Sequence, residues 1–140
     1  MYRKILVAYD GSKGARKAFE TALQLAETFQ AELWALAVEE HLPHFAATID
    51  EMEEEKSFAN RYYEECLDIA SAQAMKKAVR LKPLIRAGHV AHTILEVTRE
   101  GHFDLVVMGH SGRSEVWAAF LGTTAEKVSR HAPCTVLIVR

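Results

Sequence analysis

The sequence predicts an α/β protein built on an open, twisted, five-stranded parallel sheet with helices on both faces. Short apolar runs alternate with segments of helical periodicity, in the order β-α-β-α-β-α-β-α-β, which is typical of parallel strands joined by right-handed crossovers. The run at Lys4 to Tyr9 is short, apolar and rich in β-branched residues, and Leu105 to Met108 is apolar throughout, as in strands buried on both faces. Pro83 in the third run removes a ladder donor and favours a sheet edge, which suits the strand order 3-2-1-4-5.

The first half of the chain contains two strands and two helices. Lys4 to Tyr9 is followed by Ser12, a good N-cap, and by an amphipathic pattern that predicts a helix to about Phe29. Glu32 to Val38 reads as a second buried strand. The acidic segment Thr48 to Ser57 fits a solvated first helical turn better than a metal or partner patch. The buried stripe of that helix is predicted at Phe58, Tyr62, Cys66, Ile69 and Gln73 or Ala72.

The second half completes the alternation. Val79 to Ala87 is the predicted edge strand, and Val90 to Arg99 is a helix closed by Gly101 at the C′ position. After the strand Leu105 to Met108, a helix is expected over Thr123 to His131, and Thr135 to Val139 is the last strand. The chain is therefore expected to form one domain over residues 1–140.

The composition resembles that of soluble globular proteins, with 49% hydrophobic and 26% charged residues. A net charge of −2 makes no electrostatic case for nucleic acid or an anionic membrane as a partner. No apolar run is long enough for a signal peptide or a membrane span, so we expect a cytoplasmic protein. Cys66 and Cys134 lack a CxxC spacing and are expected to be buried free thiols.

The segment from Leu105 to Thr124 carries the pattern most typical of a ligand site. Glycine lacks a Cβ, so its amide can approach a phosphate closely, and a helix start offers unpaired N–H groups to an anion. Thr123 with Glu126 also fits an ordinary capping box, so the glycines alone leave both interpretations open. The three glycines of the segment are Gly109, Gly112 and Gly122.

The predicted topology places a second loop beside these glycines. In the order 3-2-1-4-5 the first and fourth strands are neighbours, and the winding reverses between them. Ligands of open α/β sheets bind at the carboxyl ends of the strands at such a reversal. The loops there are Tyr9 to Ser12 and Gly109 to Thr124, so the sequence predicts a phosphate-bearing ligand between Asp10 and the glycine loop.

The glycine spacing and three further runs resemble a known family. Gly109-x2-Gly112-x9-Gly122-Thr123 matches the G-2x-G-9x-G-S/T motif of the ATP-binding branch of the universal stress proteins. The runs at Ile5 to Ser12, Asp104 to Gly109 and His131 to Val139 are also similar to that family. The likeness covers the whole chain and implies a Rossmann-like fold of the adenine nucleotide α-hydrolase type.

The resemblance implies an ATP site, with or without Mg²⁺. The three glycines would admit the phosphates and ribose, Thr123 and Thr124 would bind phosphates, and Asp10 would meet the ribose or a metal-bound phosphate. Adenine would be framed by Ala8, Tyr9, Val38 and Met108. From its charge alone Arg113 is placed to reach a phosphate, although a solvated arginine fits equally. Gly88-His89-Val90 departs from the Gly-x-Pro often found in the family.

The sequence favours binding over catalysis, and no catalytic residue is predicted. Rapid phosphoryl transfer needs a positioned metal, an oriented nucleophile and cationic groups, but the loop has no lysine and no G-x-x-x-x-G-K-[ST] pattern. We expect a regulatory or stress-response module with slow or no ATP hydrolysis. The alternatives are an adenylating ATP pyrophosphatase-type enzyme, although Asp10-Gly11-Ser12 lacks the fuller S-G-G-x-D-S run, and an interaction module that binds no nucleotide.

Several residues carry open or weaker expectations. His89 with His92, and His41 with His44, do not complete the three or four donors of a zinc site. His110 fits either a ligand contact or a surface position. The apolar spacer Val116 to Leu121 could form a short helix, cover the ligand or pack on a partner.

The last strand predicts self-association. Thr135 to Val139 is a sheet edge in the predicted order, and an exposed apolar edge invites pairing. Two-fold pairing with a second copy would close this edge, and the resemblance also implies a homodimer.

Overall fold

The computed structural model of the chain describes residues 1–40, 49–110 and 121–140. It contains five strands, β1 Lys4–Ala8, β2 Glu32–Glu39, β3 Leu81–Ala87, β4 Leu105–Gly109 and β5 Thr135–Val139. Between them lie four helices, α1 Lys13–Phe29, α2 Ile49–Lys76, α3 Val90–Glu100 and α4 Thr123–His131. The expectations for His41, His44, Gly112, Arg113 and residues 116–120 of the spacer fall outside the described residues.

The five strands form one parallel sheet in the order β3-β2-β1-β4-β5. The predicted fold class and strand order are confirmed. Val7 of β1 pairs with Ala35 of β2 on one side and with Val107 of β4 on the other. Pro83 lies in the edge strand β3 opposite Ala35, where a missing ladder donor is tolerated.

Two hydrophobic cores lie on opposite faces of this sheet. Ile5 and Val7 of β1 join α1 and α2 residues on one face, while Leu6 joins α3 and α4 residues on the other. Adjacent side chains of a strand point to opposite faces, so Ile5, Leu6 and Val7 are all apolar because both faces of β1 are covered. The sheet thus forms the central layer, and its strand ends remain to form a site.

Helix α1 follows the predicted pattern. The Ser12 hydroxyl accepts a hydrogen bond from the Ala15 N–H at 3.2 Å, which confirms Ser12 as the N-cap. The helix buries small and apolar residues at helical spacing and ends at Gln30, whose φ of 52° is left-handed. The buried residues are Ala15, Ala18, Phe19, Ala22, Leu23 and Ala26.

The predicted buried stripe of α2 is wrong. Phe58 and Ile69 are 71% and 60% exposed, and Tyr62 is also exposed. The helix is rotated by about one residue, 100° on the helical wheel, from the predicted phase. Two apolar stripes lie side by side on α2, and the one with small alanines is buried because it allows the helix to approach the sheet closely. The buried residues are Tyr63, Leu67, Ala70 and Ala74.

Two predicted helix ends differ in detail. Gly101 ends α3 with a φ of −83°, so the left-handed residue is His102, at 54°. Gly101 is still needed, because a Cβ there would lie 2.4 Å from the Phe103 ring. The capping box of α4 is wrong: the N-cap is Gly122, which makes no side-chain cap, and Thr123 is already helical.

Two further expectations concern the cysteines and membrane-spanning segments. Cys66 and Cys134 are free thiols, as predicted, but each is only partly buried. In the described ranges no helix is long and apolar enough to cross a membrane.

Candidate functional site

The carboxyl ends of β1, β2 and β4 open into a cavity of about 540 Å³. This is the edge of the sheet where the winding reverses between β1 and β4, the predicted position of the site. The volume lies in the range of small-molecule sites, which is about 300–1,000 Å³. A mononucleotide-sized ligand therefore has room at this position.

The turn after β1 forms one wall of the cavity. The Tyr9 N–H donates to the Leu36 carbonyl at 2.8 Å, which ties the end of β1 to β2. The Asp10 Oδ1 accepts a hydrogen bond from the Ser12 N–H at 2.9 Å. The same turn therefore holds the Asp10 carboxylate and begins α1.

Gly11 allows α2 to rest on this turn. Its φ is +80°, and a Cβ there would lie 2.8 Å from the Tyr62 hydroxyl and 2.9 Å from Cys66 Sγ. The Tyr62 hydroxyl also donates to the Asp10 carbonyl at 3.3 Å. Glycine is required at this position both by the backbone conformation and by the close approach of α2.

The glycine that ends β4 has a structural reason of its own. A Cβ at Gly109 would lie 3.0 Å from the carbonyl carbon and oxygen of Gly14 in the first turn of α1. The absence of a side chain at Gly109 thus permits contact between two backbones, in addition to leaving space in the cavity. This packing reason was not visible in the sequence, because it depends on how α1 docks.

His110 ties the two described ends of the glycine segment together. Its N–H donates to the Val139 carbonyl at 2.8 Å, and its carbonyl accepts from the Gly122 N–H at 2.9 Å. The residue is 9% exposed and lines the cavity, so the surface alternative for His110 is wrong.

The N-terminus of α4 forms the opposite wall. Gly122 caps the helix without a side-chain hydrogen bond, and the first intrahelical bond of this turn runs from the Glu126 N–H to the Gly122 carbonyl. The preceding amides of Thr123 and Thr124 therefore have no intrahelical acceptor. Together with the positive end of the helix dipole, they suit an anionic group.

Glu126 does not oppose an anion at this end. Its carboxylate pairs with Arg130 one turn further along α4, at 3.1 Å, and Glu126 does not line the cavity. The i,i+4 pair directs the negative charge along the helix surface.

The remaining lining is largely apolar on the α3 side. Val38, Met108 and Ile94 belong to the hydrophobic core that α3 and α4 form with the sheet. Ala8 and Val90 pack on that core and line the cavity beside them. Such a surface suits a flat apolar group, and the amides of α4 suit a charged one.

Carboxylates dominate the charge of the cavity. Asp10, Glu39 and Glu40 line it, and no lysine or arginine does so within the part of the chain that the structure describes. No group of three or more His, Cys, Asp or Glu residues within residues 1–40, 49–110 and 121–140 is arranged to hold a metal ion. Burial, more than the nearby Cys66, raises the pKa of the Tyr9 phenol, which therefore stays protonated at neutral pH.

The structure brings most of the sequence-predicted residues to this one cavity. They are Ala8, Tyr9, Asp10, Val38, Met108, Gly109, Gly122, Thr123 and Thr124. Gly112 and Arg113 lie outside the described residues.

Sequence reasoning missed a second group of lining residues. They are Ala15, Leu36, Glu39, Glu40, Tyr63, Val90, Ile94 and Ala125. The start of α3 follows the carboxyl end of β3, so the position of Val90 and Ile94 could have been inferred from topology. Tyr63 was missed because α2 was predicted in the wrong rotational phase.

The histidines at the start of α3 cap the helix. His89 is the N-cap, and its Nδ1 accepts from the His92 N–H at 3.4 Å. His92 Nε2 lies 3.8 Å from a Glu96 carboxylate oxygen on the same helix. The spacing of the two histidines thus has a local structural role.

The fold and the cavity define an α/β protein with a ligand cleft at the reversal of a parallel sheet. Residues 1–140 match the model of the universal stress protein family, and the chain belongs to that family. It is 34% identical over 140 residues to the Thermus aquaticus "universal stress protein in QAH/OAS sulfhydrylase 3'region", with all of both chains covered. The universal stress protein UspA of Lactobacillus plantarum superposes with a TM-score of 0.92 at 30% identity, covering 99% of this chain and 98% of that one.

Two more distant structures share the fold and were solved with adenine nucleotides. A universal stress protein in complex with cAMP has a TM-score of 0.77 at 24% identity, covering 99% of this chain and 97% of that one. An Arabidopsis thaliana family protein with AMP bound has a TM-score of 0.71 at 16% identity, covering 98% and 90%.

Proposed function

We propose that this protein binds ATP and acts as a nucleotide-dependent regulatory module in a stress response, with slow or no hydrolysis. The proposal rests on one observation: the N-terminus of α4, which has no side-chain cap, and an apolar wall line the same cavity of about 540 Å³. The first suits phosphates and the second suits a base. The cAMP and AMP complexes of distant family members support an adenine nucleotide as the ligand class.

The proposed pose follows the walls of the cavity. The phosphates lie at the amides of Thr123 and Thr124, and the ribose lies near Asp10. Adenine lies against Ala8, Val38 and Met108, with Tyr9 at the edge of the cavity. Gly109 and Gly122 leave room for the ligand, and Gly112 and Arg113 are proposed to complete the phosphate end.

The charge of the described lining makes Mg²⁺ the natural companion of ATP. Asp10, Glu39 and Glu40 line the cavity without a lysine or arginine among the described residues, so a triphosphate there adds to an excess of negative charge. Mg²⁺ usually keeps several waters and binds through phosphates and one or two carboxylates. We propose Asp10 as the carboxylate nearest to it.

The same charge distribution supports slow turnover. Phosphoryl transfer requires a positioned metal, an oriented nucleophile and cationic groups; no lysine or arginine is among the described lining residues, and the proposed Arg113 is the one cationic side chain that we place at the phosphate end. A binding module that holds its nucleotide is the function that this arrangement supports best. Free thiols also fit the reducing cytoplasm in which we propose that the protein acts.

The direct test is to denature the purified protein and identify any released nucleotide. Recovery of ATP, or heat of binding on titration with Mg-ATP, supports the proposal. If no nucleotide is released and titration gives no heat, the proposal is wrong. Pyrophosphate and AMP as products would instead indicate an adenylating enzyme.

Replacement of Gly122 by valine tests whether the phosphates bind at the N-terminus of α4. Gly122 has φ −60° and ψ 151°, a conformation that valine adopts readily, so the fold should be retained. The added side chain is expected to block the approach of phosphate to the α4 amides and to abolish binding. A folded Gly122→Val protein that binds Mg-ATP normally would show that the phosphates lie elsewhere.

A further inference from the structure

The outer face of α2 carries an apolar stripe that the fold leaves exposed. It consists of Phe58, Tyr62 and Ile69, all of which are exposed to solvent. Successive residues of a helix are turned by about 100°, so these three side chains lie within roughly 40° of one another on the solvent side of α2. Large apolar side chains gathered on one exposed face indicate an interaction surface.

Charged residues stand at both ends of the same face. Glu51 lies seven residues before Phe58, and Lys76 lies seven residues after Ile69. Both are exposed. Seven residues are almost two helical turns, so both side chains fall on the line of the apolar stripe. Over about 37 Å of helix, this face therefore changes from acidic through apolar to basic.

The pattern is complementary to itself when one copy is reversed. If a second copy lays its α2 antiparallel, with its Ile69 against Phe58, the equal spacings bring its Lys76 against Glu51. A two-fold axis repeats both contacts, as in the isologous interfaces of most homodimers. Parallel pairing would place like charges opposite each other, so the charges favour the antiparallel direction.

We propose that a second copy of this chain docks antiparallel on the apolar stripe of α2. Contacts between Phe58 and Ile69 hold the two copies together, and pairs between Glu51 and Lys76 orient them. Helix α2 packs on β2 and β3, whereas β5 is the opposite edge of the sheet, so pairing through β5 leaves this face available.

The size of the stripe sets the strength of the contact. Three apolar side chains from each copy bury less than the roughly 1,600 Å² of a standard interface, so we expect a dissociation constant of roughly 0.1–1 mM. Exposed ion pairs add little to the affinity and act mainly on direction and partner choice. The surface lies outside the nucleotide cavity, so its test needs no nucleotide.

The test is sedimentation equilibrium at low salt, from about 10 µM to about 1 mM protein. The weight-average mass of the wild type should continue to rise through this range. Phe58→Ser should abolish the rise. Met75→Ser is the matched control, because Met75 is an equally exposed apolar residue of α2 that lies roughly 120° around the helix from Ile69. It should associate like the wild type.

Charge reversal tests the direction of the pairing. Glu51→Lys and Lys76→Glu each place like charges opposite one another in both pairs, so each should raise the dissociation constant about tenfold. An equimolar mixture of the two variants should associate as tightly as the wild type, because their changed faces complement each other. Glu51→Lys also raises the net charge by two, from −2 to 0, which by itself would favour association.

A control variant separates this effect from net charge. Glu100→Lys makes the same change at an exposed residue of α3, on the other face of the sheet, and should not weaken association. Tyr62 stays unchanged in all variants, because its hydroxyl also donates to the Asp10 carbonyl. The thermal midpoints should match that of the wild type, as is usual for exposed positions.

Three outcomes would overturn the proposal. A wild-type mass that is constant up to the highest concentration shows that α2 binds no second copy. A rise that persists in Phe58→Ser places the contact elsewhere. Charge variants that each associate like the wild type, or a mixture that does not restore association, exclude the antiparallel arrangement. None of these results bears on nucleotide binding, so the proposed function stands or falls separately.

Discussion

Gly11 is the residue whose replacement the structure constrains most tightly. Its φ of +80° disfavours any side chain, and a Cβ would lie within 2.9 Å of both Tyr62 and Cys66. Gly11→Ala is expected to lower the free energy of unfolding by about 1–3 kcal/mol, from backbone strain and displacement of α2. Urea denaturation measures the loss, and an unchanged midpoint would contradict the close packing of α2 on this turn.

Ala78 provides the opposite substitution. It is exposed and adopts a φ of 55°, a left-handed conformation that costs a non-glycine residue about 1–2 kcal/mol. Ala78→Gly relieves that strain and loses part of the gain to the greater freedom of the unfolded chain. We expect an increase in stability of up to about 1 kcal/mol in the same urea experiment, opposite in sign to Gly11→Ala.

At the scale of the helices, the cap of α1 should contribute measurably to stability. Ser12 accepts the Ala15 N–H, and Ser12→Ala leaves that amide without its side-chain partner. A loss of about 1 kcal/mol is expected from thermal or urea unfolding. Ser129→Ala is the control, because among the described residues this exposed hydroxyl bonds only the Glu126 carbonyl of its own helix. A loss in the control equal to that in Ser12→Ala would argue against a specific capping effect.

The strands β2 and β3 are joined by a pair that should respond to pH. Lys82 and the Trp34 indole both donate to the Glu32 carboxylate and hold its pKa below the usual value. A lowered folded pKa means that the stabilisation is present above the unfolded pKa, about 4.3, and is lost as the pH falls through the folded pKa.

Lys82→Met tests that linkage. Because the Lys82–Glu32 pair is partly exposed, the free energy of unfolding of Lys82→Met should be only about 0.2–1 kcal/mol lower than that of the wild type at pH 7. The stability difference from wild type should shrink as the pH falls below the unfolded pKa, about 4.3, and through the lowered folded pKa of Glu32. A difference that is constant from pH 7 to pH 3 would show that Lys82 acts through packing alone.

At the scale of the whole molecule, β5 is one of the two edge strands of the described sheet, and unlike β3 it contains no proline. It pairs only with β4 among the described strands, and most of its residues are half-buried. We expect a homodimer through β5, because pairing with a second copy satisfies the exposed backbone groups. Light scattering at micromolar concentration should give twice the mass of 15.7 kDa.

The exposed apolar stripe of α2, formed by Phe58, Tyr62 and Ile69, is an alternative to β5 as the surface for self-association. Phe58→Glu with Ile69→Glu removes its two most exposed members without touching the sheet. The dimer should persist in this double variant if β5 is the interface. Dissociation of the double variant would assign the contact to α2 instead, and a monomeric wild-type protein would contradict self-association altogether.

The sequence predicted the sheet well because its signals are local. Strand alternation and Pro83 determine the order of the strands, and the topology then brings Asp10 and Gly122 to one cavity. The phase of α2 was not predictable because two apolar stripes compete, and docking decides between them. The burial of Glu39 was missed for the same reason: it follows from packing between elements distant in sequence.

The contact between Gly109 and Gly14 makes one side of the cavity rigid. A Cβ added at Gly109 would lie 3.0 Å from the Gly14 carbonyl, so the backbone of β4 packs directly on the backbone of α1. There is no side chain at this contact whose size could change the width of the cleft. The opposite side, formed by Val38, Val90 and Ile94, is made of side chains of variable size. Ligand preference within this scaffold should therefore change through substitutions on the β2 and α3 side, while the wall at Gly109 stays constant.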